Sequence, residues 1–285
     1  STAHYINMLE ILSKIALVLK NEQLSKELLA ECLVCKKAFH QKFFNPDTGG
    51  YGSNNQACNS MALYMDIVPN DLRSRVLENL VSDIVSNEYH LTTGNLATKY
   101  IFDVLADGGE TNIAFKLLTQ TSYPSWGYML EKGATTMWER WEEATGKGMN
   151  SHNHAMYASI GSWFYKYLAG IKLPDSSVGF SNVIIEPIFP TGLDWVKVEL
   201  DTIKGKISVS WVKQSTSIFL KINLPIGSNC ELKMPLFDNN FDEFKESGVT
   251  LEKVPKSRIQ GLKRDDNKLT VKFEGGNYDF DIKHK

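Results

Sequence analysis

The chain has 285 residues, 42% of them hydrophobic, which is enough to bury a sizeable core and to form more than one domain. Its net charge of −2 comes from acids and bases mixed throughout, with no basic face, no Lys/Arg run and no acidic tail, which argues against a nucleic-acid partner. No apolar stretch approaches membrane-spanning length, so no membrane partner is expected either.

The start, Ser1-Thr2-Ala3-His4-Tyr5, has neither an initiator Met nor the regions of a signal peptide. It reads as an interior start, and the chain as a fragment of a longer one; no compartment follows from it. Ile6, Leu9, Leu12, Ile15, Ala16 and Leu19 recur at helical spacing, as do Leu28, Leu29, Cys32, Leu33, Cys35, Ala38 and Phe39. The short turn Asn21-Glu22-Gln23 between them predicts an antiparallel helical hairpin. Cys32 and Cys35 form a Cys-x-x-Cys inside a helical pattern. A redox motif belongs instead at a helix start after a strand, and zinc would need further ligands nearby. Both are read as buried thiols, and no metal or cofactor is expected.

Asn45-Pro46-Asp47-Thr48-Gly49-Gly50 is a loop. Helices are expected from about Gln56 to Asp66, Pro69 to Ser86, Thr92 to Ala106 and Glu110 to Gln120, with a last one from about Asn153 to Leu168. About seven helices alternate short turns with longer polar loops. That pattern suits helical hairpins stacked around an axis with the long loops at one end. After Pro174-Asp175 the period changes to two, in runs such as Val196-Lys197-Val198-Glu199-Leu200 and Leu269-Thr270-Val271-Lys272-Phe273. Residues 175–285 therefore read as an antiparallel β-sandwich, taken as a structural cap on the helical part.

Between the last two helices, Tyr123 to Glu142 concentrates three Trp and two Tyr with Glu139, and Asn150-Ser151-His152-Asn153-His154 follows. Sugar rings offer apolar faces that stack on aromatic planes and hydroxyls that need charged or amide partners. Such a stretch fits a sugar site, and it equally fits an aromatic core segment beside a solvated Glu-Arg-Trp-Glu helix. Trp126 is the first choice for stacking. Trp138 and Trp141, three apart, share a face if helical, and at least one should be core. Glu142 and Glu143 are read as a solvated face.

Gly133-Ala134-Thr135-Thr136-Met137-Trp138-Glu139-Arg140-Trp141 resembles the bacterial α-L-rhamnosidases of glycoside hydrolase family 78. Further pieces occur in that family's order: Phe44 to Ser53, His90-Leu91-Thr92-Thr93-Gly94, Trp126-Gly127-Tyr128-Met129-Leu130, Ser151-His152-Asn153-His154 and Phe180 to Pro187. The likeness covers about residues 1–235 and is specific in combination. It implies that residues 1–174 are the C-terminal portion of an (α/α)6 six-hairpin glycosidase domain, followed by a β-sandwich domain at 175–285. It implies inverting hydrolysis of terminal α-L-rhamnose, with a rhamnose-containing oligosaccharide or glycoside as partner. The family's general base falls on Glu139 and its sugar-contacting His on His154; Trp126, Trp138 and Tyr128 are the further candidates for sugar binding.

Inversion requires a carboxylate to deprotonate water on one face of the sugar and an acid on the other, roughly 6.5–9.5 Å apart. The family's acid lies in an Asp-x-Pro-x-Arg-Asp-Glu-Arg segment that this chain lacks. The chain is therefore expected to hold the base without the acid and to be inactive alone. A second departure is Gly94-Asn95-Leu96-Ala97-Thr98, where the family has a more apolar, Pro-containing continuation. The competing readings are a non-catalytic carbohydrate-binding module, another six-hairpin glycosidase with a different substrate, and a structural protein.

Overall fold

The computed structural model describes residues 2–148, 150–236, 243–265 and 267–283. It divides into two compact units, Ser1–Ile160 and Gly161–Lys285. The first is helical: α1 (Thr2–Val18), α2 (Glu22–Phe43), α3 (Gln56–Tyr64), α4 (Arg73–Ser86), α5 (Asn95–Asp107), α6 (Thr111–Leu118) and α7 (Trp126–Glu131). A two-stranded ribbon, β1 (Phe44–Asn45) with β2 (Gly50–Tyr51), interrupts them.

The α1–α2 hairpin closes on small residues. Ala3, Ile6, Leu9, Ser13 and Ala16 face Ser25 and Cys32, and the Ser13 and Ser25 hydroxyls meet at 2.8 Å. Asn21 caps α2 by accepting the Leu24 N–H. Leu12, Ile15 and Leu19, which share the periodic stripe, lie outward at 40%, 47% and 73% exposure. Ser13, Ala16, Ser25 and Cys32 are small and let the helices approach beside Ile6 and Leu9, and a second apolar stripe stays outside. Cys32 is buried there, and burial pushes its thiol up.

The chain from 132 to 145 forms neither helix nor strand, so Trp138 and Trp141 do not share a helical face. The helix expected from Asn153 begins only at a 3-10 turn, Tyr157–Ser159. It continues as α8 (Ile160–Trp163) and widens to a π turn at Phe164–Leu168. Backbone groups of Ser151, His152 and His154 bond to residues 136–139 instead of to a helix.

The second unit is a β domain of β3 (Ile171–Lys172), β4 (Asn182–Ile185), β5 (Trp195–Thr202), β6 (Gly205–Lys213), β7 (Ser217–Pro235), β8 (Glu243–Glu246), β9 (Val249–Thr250), β10 (Gly261–Arg264) and β11 (Lys268–Lys283). All pairings are antiparallel except β4 with β7. The long strands β7 and β11 pair along their whole length. At one end their outer neighbours are β6 and β8, at the other β4 and β10.

A break in register at Gly275 separates these halves, with Pro225 to Ser228 bulging opposite it. A Cβ on Gly275 would lie 2.2 Å from the Pro225 carbonyl oxygen, so only Gly fits. The rings of Phe273 and Tyr278 lie 4.1 Å apart, whereas five residues of straight strand would separate them by about 16 Å. The strands therefore fold over at the bulge, and the buried rows Leu269, Val271, Phe273 and Tyr278, Phe280, Ile282 face one core. Trp211, fully buried, donates its indole N–H to Leu168 O at 2.7 Å.

This unit's ion pairs include those of three carboxylates that are at least partly buried, Glu186, Glu231 and Glu246. Burial opposes ionisation of Glu246, but Arg258, bonded through Nε at 2.6 Å, outweighs it and keeps the carboxyl below its usual range. The same balance holds Glu186 down against Lys172 and Lys268, and Glu231 against Lys233 and Lys272. A carboxyl lowered in the folded state adds stability that is complete above its unfolded pKa and lost as pH falls through its folded one. The melting temperature of this unit is thus expected to decline below about pH 4.3. The decline should be shallower in Glu246→Gln, and an identical pH profile for that variant would contradict the account.

Candidate active site

The first wall of the site is built by the segment 90–94. Gln56, the first residue of α3 and fully buried, uses both ends of its amide on this segment. Its Nε2 donates to His90 O at 3.0 Å and its Oε1 accepts the Thr92 N–H at 2.9 Å. The Thr93 and Thr98 hydroxyls meet at 2.8 Å, and Thr98 also donates to Gly94 O. Thr93 O in turn accepts the Trp141 indole N–H at 2.8 Å. Gln56→Ala would break these two part-buried hydrogen bonds and leave His90 O and Thr92 N–H without their side-chain partner, an expected loss of about 1–3 kcal/mol. Calorimetric melting checks this, and a change under about 0.5 kcal/mol, the scale of ordinary surface substitutions, would contradict it.

The second wall is the irregular stretch carrying Glu139. Glu139 N–H donates to Ser151 O at 2.9 Å, and Ser151 N–H donates back to Glu139 Oε2 at 2.9 Å. Asn95 Nδ2 donates to Glu139 O at 3.2 Å. One turn earlier, His154 N–H donates to Met137 O, and Thr136 Oγ1 donates to His152 O. Residues 136–139 and 151–154 are thus clasped together. This leaves Glu139 half-buried with its Oε2 oriented by a backbone amide.

Between these walls lies a cleft of about 850 Å³, within the range of small-molecule sites. Glu139, Trp141, Tyr157, Tyr123, His90 and Asn95 are among its lining residues. Trp141 stacks on Tyr157 at 3.9 Å between ring centroids. Burial, with the Glu142 charge adding to it, pushes the Tyr157 phenol well up, so it stays protonated and can only donate or accept as a neutral hydroxyl. Glu88 and Glu142 also line the cleft, and Glu142 is ion-paired with Arg140.

The other sequence candidates are not among the cleft's lining residues. Trp126, 9% exposed, packs edge-on against Trp141 at 5.1 Å. Trp138, 4% exposed, stacks on His152 at 4.9 Å. Tyr128 contacts the cleft residue Tyr123 at 5.3 Å, and His154 accepts the Met156 N–H through Nδ1 at 3.4 Å. Glu142, expected on a solvated helical face, lines the cleft because no helix forms there.

Sequence reasoning missed Gln56, Asn95, Tyr157 and the rim at Asn87 and Glu88. A signal for Gln56 was present: Gln56, Asn59 and Ser60 place polar groups at the core-facing spacing of α3, where each requires a partner. Glu88 and Tyr89 adopt φ of 53° and 60°, left-handed values that nothing in their side chains announces.

A helical-hairpin domain presenting a carboxylate in an aromatic-walled cleft, followed by an antiparallel β domain, has the make-up of a six-hairpin glycosidase. The family model described as the bacterial alpha-L-rhamnosidase 6 hairpin glycosidase domain matches residues 1–168. That of the bacterial alpha-L-rhamnosidase C-terminal domain matches residues 170–247. The chain belongs to the bacterial α-L-rhamnosidase family. An α-L-rhamnosidase of Streptomyces avermitilis is 34% identical over 206 residues, covering 70% of this chain and 20% of that protein. The structure of alpha-L-rhamnosidase from Dictyoglumus thermophilum is 36% identical with a TM-score of 0.91, over 99% of this chain and 31% of that one. The Streptomyces avermitilis alpha-L-rhamnosidase complexed with L-rhamnose is 27% identical with a TM-score of 0.87, over 99% of this chain and 26% of that one. The chain therefore spans between a fifth and a third of these relatives' lengths.

Proposed function

We propose that the cleft binds a terminal α-L-rhamnosyl unit and that Glu139 is the general base of its inverting hydrolysis. The observation that carries this reading is the placement of the motif carboxylate. Glu139 lines a cleft with Trp141 and Tyr157, and its Oε2 is oriented by the Ser151 amide. A carboxylate so held can take a proton from a water poised against the anomeric carbon, while Tyr123, 52% exposed in the lining, can receive the apolar side of the ring beside the buried Trp141–Tyr157 stack. The rhamnose-bound relative supports the choice of sugar.

His154, Trp126, Trp138 and Tyr128 do not line the cleft, so within the same proposal they support the walls that meet the sugar. In its support, His154 and Trp138 belong to the two segments that clasp Glu139, while Trp126 and Tyr128 pack on cleft residues. Residues 1–174 would supply part of an (α/α)6 toroid, with 175–285 as its β-sandwich companion. The partner acid, absent as a motif from these 285 residues, would come from elsewhere in a longer enzyme.

The test is an aryl α-L-rhamnoside offered to the 285-residue chain and to the full-length enzyme, beside a panel of other aryl glycosides. The chain alone is expected to give no turnover. The full-length enzyme should prefer the rhamnoside and release L-rhamnose first as the β anomer, followed by NMR. Initial release of the α anomer would overturn the inverting mechanism, and preference for another glycoside would overturn the substrate. Saturable binding of rhamnose by the full-length protein without turnover of any glycoside would favour a binding module.

A further inference from the structure

We infer that Asn95 is a positioning residue for Glu139, tying the backbone of the loop that carries the base to the first turn of α5. The inference rests on the role proposed above for Glu139.

Glu139 lies in a stretch, 132–145, that contains no regular element. A carboxylate on such a loop is held only as well as its backbone is tied, and a displacement of about 1 Å in an active site can cost about 100-fold in rate. The reciprocal pair with Ser151 does not by itself supply a rigid anchor. Ser151 also lies outside any regular element and is exposed, so the two segments could shift together. The Trp141 indole ties the loop two residues further on, to Thr93 O. The bond from Asn95 Nδ2 to Glu139 O acts instead on the base's own backbone. It spans 44 residues and ends on the first position of a 13-residue helix. That helix is anchored by Ala97, Thr98, Ile101, Phe102 and Leu105, all buried.

Asn95 is itself half-buried and lines the cleft. Its amide must present the nitrogen to Glu139 O, because a carbonyl can only accept, and this fixes the amide's orientation. Its place at the start of α5 also points to a substitution. Asn95→Asp keeps the shape and suits the positive end of the helix, but it replaces the donor with a charged acceptor, so the uncharged Asn95→Ala stands beside it.

Two measurements test the inference. In the isolated 285-residue chain, amide exchange at Glu139 and Ser151 is expected to accelerate about 10-fold or more in Asn95→Asp and Asn95→Ala. Exchange at Ile101 to Leu105 should stay unchanged. In the full-length enzyme, kcat is expected to fall about 10-fold or more in both variants, with KM within about 2-fold, the pattern of lost transition-state positioning. If Asn95→Ala lowers the melting temperature, Asn95→Leu, uncharged and close to Asn in size, takes its place, and the same changes must appear in it as in Asn95→Asp. Unchanged exchange at Glu139 and Ser151 together with kcat within 2-fold of wild type in Asn95→Asp would overturn the inference. Full turnover by Glu139→Gln would instead overturn the base role, while the exchange measurement would still report on the tether.

Discussion

In the full-length enzyme, Glu139→Gln is expected to lower kcat by about 10²–10⁴-fold, equivalent to about 3–5 kcal/mol of barrier. Gln has the shape of Glu and keeps an oxygen to accept the Ser151 N–H that Glu139 Oε2 now receives at 2.9 Å. The clasp between residues 136–139 and 151–154 should therefore survive, and the melting temperature should stay within a degree or two. KM should change little if the ring is held mainly by the aromatic wall and the other polar groups of the cleft. Azide needs no deprotonation, so added azide is expected to restore turnover in the variant and to yield a rhamnosyl azide of inverted configuration. Wild-type rates in Glu139→Gln would remove this carboxylate from the mechanism. A large loss of both rate and thermal stability would show that it serves the fold.

The second large effect lies in the β domain. Gly275→Val is expected to cost more than about 4 kcal/mol, or to prevent residues 161–285 from folding. The new Cβ would stand 2.2 Å from the Pro225 carbonyl oxygen and 2.8 Å from the Ile226 Cα, both backbone atoms that cannot swing aside. Relieving the clash would open the bulge and separate Phe273 from Tyr278, whose rings now lie 4.1 Å apart. Loss of the β signal on far-UV circular dichroism, or a collapsed guanidinium midpoint, is the expected readout. A control is available at Gly248, where an added Cβ meets nothing within 4 Å, although its φ of 81° favours Gly. Gly248→Asn, a residue that tolerates the left-handed region, should cost under about 1 kcal/mol. A Gly275→Val protein as stable as wild type would mean that the long strands do not need the fold at this bulge.

Much of the architecture was legible along the chain because local rules wrote it. Helical spacing marked α1 and α2, and Asn21-Glu22-Gln23 marked the turn between them, where the structure shows Asn21 capping α2. Alternation marked β5 to β7 and β11, since a strand with one wet face cannot hide its period. The periodic stripe nevertheless misled at Leu12, Ile15 and Leu19. Periodicity shows that a face is apolar but does not say which of two apolar faces meets the neighbouring helix. The start of the last helix was also misread, because Ser151, His152 and His154 give backbone groups to residues 136–139, and no local pattern reports a bond across more than ten residues.

The site shows the same division. Sequence alone brought Glu139, His154 and the aromatic stretch forward, since those residue types at that spacing carry the chemistry a sugar requires, and the resemblance gave Glu139 its expected role. The tertiary structure alone decided which aromatic rings line the cleft. Trp141 and Tyr157 lie in its wall, and Trp126 packs edge-on against Trp141. It also decided that Gln56 braces the segment 90–94 and that Asn95 holds Glu139 from a distance of 44 residues. The physical reason is that a residue's chemistry is local, whereas its partners are set by the closing of the chain. A spacing of three or four positions can be read directly, but a hydrogen bond between distant loops exists only once the helices between them have packed.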